Sequence, residues 1–199
     1  VVEAGQGHPS VGVVQTGEFA AAIVAGLASS VAPQQPITNV EVTGIDDAPL
    51  VYQTFTRAQL DLMAEYGTLI LMQDVAGGTV YVRHQISTKA RGGNLNETEL
   101  SVIKNLDSIS YYFAGRFAKY IGKYNISDTL FNVLDLILRD GIDYLGSLTS
   151  VGLLGPQLIL ANTTIVGLQQ HPTLKDHAVA TVNLGMPEPF NVMQLRLVV

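Results

Sequence analysis

The sequence predicts an α/β domain of the α+β kind, a mixed sheet with packed helices. Three observations carry this expectation. Two stretches in the second half repeat apolar residues every three or four positions, short alternating segments precede them, and the chain from Leu158 onward is rich in Val, Leu, Ile and Thr. Helices and strands interspersed in this way, with a β-rich end, form layers around one core. With 199 residues and 47% hydrophobic side chains, the chain is long and apolar enough to bury such a core.

Val1 to Gln15 mixes Val with Gly5, Gly7, Pro9 and Gly12, which breaks any helical period and reads as loop with short extended pieces. Phe19 to Ala28 is an Ala-rich helix, with Phe19, Ile23, Val24 and Leu27 at helical spacing, stopped by Pro33 and Pro36. Thr38 to Gly44 alternates Val40 and Val42 with polar residues, as a half-buried strand does, and Asp46 to Pro49 is turn chemistry. Thr56 with Gln59 predicts a capping box for a short helix that buries Leu60, Met63 and Ala64 and ends at Gly67. Thr68 to Met72 reads as a strand. Past Gly77-Gly78, Thr79 to Ser87 reads as its hairpin partner, with Val80, Val82, His84 and Ile86 on one face and Tyr81 and Arg83 on the other.

Lys89 to Asn94 is a basic, glycine-containing loop. A long helix is expected after it, with Asn96 and Glu99 as its N-terminal cap. Its apolar stripe is Leu100, Ile103, Leu106, Ile109, Phe113, Phe117, Tyr120 and Tyr124, roughly 40 Å at 1.5 Å per residue. Ser127 is expected to cap a second helix with the stripe Leu130, Val133, Leu134, Ile137, Leu138, Ile142 and Leu145, packed on the first as a hairpin or corner. Leu158 to Leu168, Ala178 to Leu184 and Val192 to Val199 complete the chain as strands.

Composition excludes several functions. Asp and Glu number 17 against 11 Lys and Arg, a net charge of −6, so a broad electrostatic footprint for nucleic acid or anionic membrane is absent. The chain has no cysteine, which removes disulfides, thiolate nucleophiles and thiolate metal sites. No stretch reaches the roughly 20 apolar residues that span a bilayer. The start at Val1 without Met predicts a piece of something longer. A charged fraction of 14% is low for a lone monomer and points to surface covered by other protein.

Candidate chemistry fails its context tests. Gly5-Gln6-Gly7-His8-Pro9-Ser10 opens like a dinucleotide fingerprint, but Pro9 and Ser10 occupy the places of the helix start and the third glycine. His8, His84, His171 and His177 lack a metal-ligand spacing, and His84 reads as a hydrogen-bonded core residue. Asp46-Asp47 suits a turn, and Asp135, Asp140 and Asp143 suit a solvated helix face. No catalytic residue, cofactor or metal is therefore expected. Arg116, Lys119 and Lys123 form a cationic ridge at helical spacing. It reads as a solvated face with charges complementing the helix dipole, or more sharply as a contact to an acidic partner.

Several segments together resemble the sheath protein of contractile phage tails and related injection machines. They are the small-residue helix Phe19-Ala20-Ala21-Ala22-Ile23-Val24-Ala25-Gly26-Leu27 with Pro33, then Thr38-Asn39 through Val42-Thr43-Gly44-Ile45. Leu60 to Gly67 leads through Leu69-Ile70-Leu71 to the most specific piece, Gly77-Gly78-Thr79-Val80-Tyr81-Val82-Arg83-His84-Gln85-Ile86-Ser87-Thr88. Leu106-Asp107-Ser108-Ile109-Ser110-Tyr111-Tyr112 and the β-rich close at Ala178 to Val199 follow in the same order.

The resemblance implies a tail-sheath core-like domain over residues 1–199, with a candidate subdomain boundary near 89–95. It implies a fragment of a longer subunit, more narrowly of a giant phage's sheath, without the outer domains and terminal arms. The implied role is structural and non-enzymatic: a helical homopolymer of stacked rings around a tail tube, contracting to drive that tube through the host envelope. Copies of itself, the tube and the baseplate are the implied partners, in a virion assembled in the host cytoplasm, with no nucleic acid and no membrane insertion. The ridge Arg116, Lys119 and Lys123 becomes the candidate inter-subunit or tube contact. A small α/β enzyme or ligand-binding domain, or a surface-binding adhesin module, is the alternative from another class, and a deep pocket with converging polar groups discriminates it.

Overall fold

A computed structural model describes residues 17–45, 55–75, 78–148 and 158–188. Expectations for 1–16, 46–54, 76–77, 149–157 and 189–199, including the Gly5 to Ser10 motif, His8, Asp46-Asp47 and the last strand, fall outside them. The α+β class is present. The chain divides into two compact units, Val1–Ile103 with Pro189–Val199, and Lys104–Glu188. The loop at 89–95 lies inside the first.

In the first unit, helix α1 (Gly17–Ser30) lays Ala20, Ile23, Val24 and Leu27 on a core of Ile37, Val42, Ile45, Val80 and Val82. Phe19 is left largely exposed. Helix α2 (Arg57–Glu65) begins with the expected capping box: the Thr56 side chain accepts from the Gln59 amide, and the Gln59 side chain accepts from the Thr56 N–H at 2.8 Å. It ends at Gly67, whose φ of +80° favours glycine. A Cβ there would also lie 2.6 Å from Thr88 Cα.

Strands β1 (Leu71–Met72) and β2 (Tyr81–Val82) pair antiparallel, Leu71 opposite Val82 and Met72 opposite Tyr81. A second core, Leu60, Ile70 and Met72, takes Met63 and Tyr81 on its flank. Strand β2 thus turns Val82 to one core and Tyr81 to the other, as its period of two requires. The expected strand at 38–44 shrinks to a single bridge, Glu41 to Tyr81. Asn39 at φ +60° and Gly44 at φ +89° bend the backbone out of the extended form on either side of it.

Two further expectations are corrected in this unit. The alternation in 79–87 fails after Arg83: Gln85 is buried, whereas His84 and Ile86 are only partly so. Gln85 can be buried because its amide is satisfied. Its Oε1 accepts from the Ile37 N–H at 3.0 Å, and its Nε2 donates to Ser101 Oγ at 2.7 Å and Glu99 Oε2 at 3.3 Å. The cap assigned to Asn96 and Glu99 does not form. Asn96 lies within a short helix α3 (Leu95–Thr98), and Asn94 Oδ1 accepts from the Glu97 N–H at 3.2 Å. Glu99 instead bridges to Ile86 as a strand residue would, and a new helix, α4 (Leu100–Phe117), starts behind it.

Helix α4 stops at Phe117, so it is about 27 Å long at 1.5 Å per residue, not the 40 Å the apolar stripe suggested. Residues 118–124 are turns, with Tyr120 N–H to Phe117 O at 2.9 Å and Lys123 N–H to Tyr120 O at 3.2 Å, and Gly122 at φ +75°. The buried face is also rotated: Val102, Asn105 and Ile109 are buried and Leu106 is 43% exposed.

In the second unit, helix α5 (Asp128–Ser147) is capped as expected by Ser127, whose side chain accepts from the Leu130 N–H at 3.2 Å. Leu134, Leu138, Gly141 and Leu145 form its buried face. Gly141 admits the Phe113 ring, which an added Cβ would approach to 2.6 Å. The core is Ile109, Leu145, Leu158 and Ile159, flanked by Tyr112, Phe113, Ile142 and Leu184. Strands β3 (Thr164–Gln170) and β4 (Ala178–Asn183) form an antiparallel ribbon with a register shift between Ile165 and Gly167. The chain at 158–163, expected to be strand, is turn and irregular. Helix α5 packs on β3.

Candidate interaction surface

The three cations of the expected ridge do not share one helix. Arg116 lies in the last turn of α4. Its guanidinium donates to Tyr112 Oη at 2.5 Å and pairs with Asp140 of α5. These hydrogen bonds, to Tyr112 first and then Asp140, hold its pKa above the ordinary arginine value. It also sits 5.5 Å from the Tyr112 ring centroid, and Tyr112 stacks on Tyr144 at 5.6 Å. Arg116 is therefore a clamp between α4 and α5. Lys119 and Lys123 lie beyond the helix end, in the turns, and both are exposed.

Those turns carry apolar surface as well. Ile121 is 75% and Tyr124 62% exposed. Tyr120 and Tyr124, with Ser127, Leu130 and Val133, line a groove of about 440 Å³ at the start of α5. Aromatic and aliphatic side chains line the groove, and the exposed Lys119 and Lys123 are their neighbours along the chain. That combination suits a protein partner with acidic side chains better than a buried small molecule.

The ribbon is the second open feature. Its residues alternate between exposed and half-buried, none is buried, and Val166 is 60% exposed. Among the described residues β3 and β4 pair only with each other. Among the described residues, each then has one edge with no strand paired to it.

The remaining candidates have structural partners. His84 Nε2 lies 2.8 Å from Glu99 Oε1, so the expected hydrogen bond exists, although the His84 side chain is one-third exposed and the buried member is Glu99. Asp135 pairs with Arg139 and Asp140 with Arg116. His171 and His177 lie at the ribbon's tip. Among the described residues no group of three or more His, Asp or Glu could hold a metal ion, and no helix is long and apolar enough to cross a membrane. Sequence reading missed Tyr112 and Asp140 as the partners of Arg116. The spacing of Tyr112, one turn before Arg116, was the available signal.

No family model matches the chain, and no curated protein matches its sequence. Solved structures do. The contracted helical sheath of the anti-feeding prophage matches 99% of this chain and 53% of its own, with a TM-score of 0.64 at 12% identity. The sheath tail protein from Desulfitobacterium hafniense matches 88% of this chain and 42% of its own, with a TM-score of 0.59 at 18% identity. The sheath tail protein from Listeria innocua gives 88%, 43%, 0.53 and 14% for the same measures. The chain spans about half or less of the length of these structures. At such identities the likeness is one of fold, and the fold is that of tail sheath proteins.

Proposed function

We propose that the chain is the core of a contractile sheath subunit, part of a longer protein. Copies of it polymerise helically around a tail tube and contract to drive the tube through a host envelope. The observation that carries this reading is the match of nearly the whole chain to a chain of a helical sheath. The open ribbon edges and the low charged fraction support it. On this reading tube and baseplate proteins are the other partners, and the particle is a virion or phage-like tail assembled in the host cytoplasm. The chain has no catalytic, cofactor, nucleic-acid or membrane-inserting role.

The candidate contact Arg116, Lys119 and Lys123 divides by task. Lys119 and Lys123 meet an acidic neighbouring subunit or the tube, for which the net charge of −6 on each copy supplies complementarity. Arg116 positions the corner through Tyr112 and Asp140. Exposed pairs are worth at most about 1 kcal/mol each, so Lys119→Glu with Lys123→Glu leaves the thermal midpoint of the soluble full-length protein nearly unchanged. Sedimentation of polymer falls, more so at low salt, where the reversed charges are least screened. Normal sedimentation of the double variant at low and moderate salt would remove the lysines from the contact. A wild type that forms no polymer, with or without tube protein, would sink the sheath reading.

A further inference from the structure

The seven-residue tip joining β3 to β4 is organised around one imidazole. His171 Nδ1 lies 3.3 Å from the Thr173 N, 3.1 Å from the Leu174 N and 3.1 Å from Thr173 Oγ1. A backbone N–H can only donate, so Nδ1 must be the acceptor and the proton of the neutral ring sits on Nε2. The loop closes around this bond: the His171 N–H donates to His177 O at 2.8 Å, and the His177 N–H to Leu174 O at 3.0 Å. Gln170 adds a bond to the Lys175 carbonyl. The His171 side chain therefore does for this turn what an Asn or Asp does for an Asx turn.

An imidazole differs from those residues in one respect: it can take up a proton on the acceptor itself. We propose that the ribbon tip is a pH-sensitive turn, closed by neutral His171 and released when that ring is protonated. Protonation turns Nδ1 from acceptor to donor, so that its N–H faces the Thr173 and Leu174 N–H groups and those two bonds are lost, leaving the turn held by its backbone bonds and the Gln170 contact alone. His177 responds differently. Its Nδ1 faces Asp176 Oδ1 at 2.7 Å, and this bond survives protonation, since the added proton goes to Nε2. The Asp176 carboxyl is held below its ordinary value chiefly by that hydrogen bond, so the pair persists into mild acid.

The other groups facing His171 reinforce the release. The two rings are 6.4 Å apart, and Lys175 stands in the same loop, so a proton gained by either ring adds to the lysine's charge, with Asp176 as the one counter-charge in the loop. Strands β3 and β4 bring no ionisable group of their own to the tip. Helix α5, packed on β3, carries Asp128, Asp135, Arg139, Asp140 and Asp143; none of them bonds His171. The range in which histidine ordinarily titrates lies between about pH 5 and 8. The device is independent of the sheath assignment.

The test is hydrogen exchange and imidazole ¹⁵N NMR on the soluble full-length protein at pH 8 and pH 5. At pH 8 the ring nitrogens of His171 report the Nε2–H tautomer. Protection factors at Thr173 and Leu174, corrected for intrinsic exchange, fall about tenfold on moving to pH 5, the scale of one or two ordinary hydrogen bonds. Protection in the middle of β3 stays constant. His171→Asn keeps an acceptor near the Nδ1 position that cannot be protonated in this range, so its tip remains protected at both pH values. His171→Ala loses the protection at both. The proposal is overturned by an Nδ1–H tautomer at pH 8, by wild-type protection at the tip that is equal at the two pH values, or by acid release persisting in His171→Asn.

Discussion

What a helical glycine does depends on what its missing methyl would meet, and two glycines here differ in sign. Around Gly26 in α1 nothing lies within 4 Å of an added Cβ, so Gly26→Ala gains the helical preference of Ala, about 0.5–1 kcal/mol. At Gly141 the same gain is opposed by overpacking against Phe113, typically about 1–3 kcal/mol. The ring cannot easily yield, because Phe113 stacks on Phe117 at 6.0 Å and meets Tyr112 edge-on at 5.3 Å. Urea unfolding of the soluble protein is expected to show Gly26→Ala stabilised and Gly141→Ala destabilised by about 1 kcal/mol net. A Gly141→Ala variant as stable as wild type would mean that α4 and α5 do not approach this closely. Sequence could not separate these glycines, since the ring against Gly141 lies far along the chain. The same holds for His84, Gln85 and Glu99: a period-two pattern places His84 inward, but a buried carboxylate 14 residues from Gln85 reverses the choice. A long-range partner leaves no local trace.

At the scale of elements, what is local was legible. The caps at Thr56 and Ser127 formed as their residue types and spacing required. Replacing either residue by Ala is expected to cost about 1 kcal/mol, read as a lower urea midpoint. Thr56→Ser should retain most of the stability, because a hydroxyl acceptor remains. A full-strength fold in both Ala variants would assign the helix starts to packing alone. Element ends were less legible. The apolar spacing runs on through Tyr120 and Tyr124 although the helix stops at Phe117, because an amphipathic stripe does not record the turn that Gly122 makes at φ +75°. The break at Glu99 was equally hidden, since the apolar stripe begins only at Leu100, while the Glu99 backbone bridges to Ile86 through a pairing far along the chain. The helix end also divides the cationic ridge: Arg116, inside the helix, pairs with Asp140, while Lys119 and Lys123 lie exposed in the turns beyond it.

For the molecule as a whole, the fold class and the likeness of fold to sheath proteins were readable, whereas the order of elements was readable only in the main helices, the β1–β2 pair and the β3–β4 ribbon. Several short segments in sequence, from Phe19-Ala20-Ala21-Ala22 to the β-rich close, carried the likeness together. The division between Ile103 and Lys104 falls inside a helix, where no change of composition marks it. The proposed function requires that this fold build a helical polymer, and electron microscopy of the full-length protein, expressed with and without a tail-tube protein, is the experiment that decides it. Striated tubes or stacked rings are expected, whose helical reconstruction accepts the two units of this chain in every subunit. Monodisperse particles of one or a few subunits under all conditions, or a polymer whose density does not accept this fold, would contradict it.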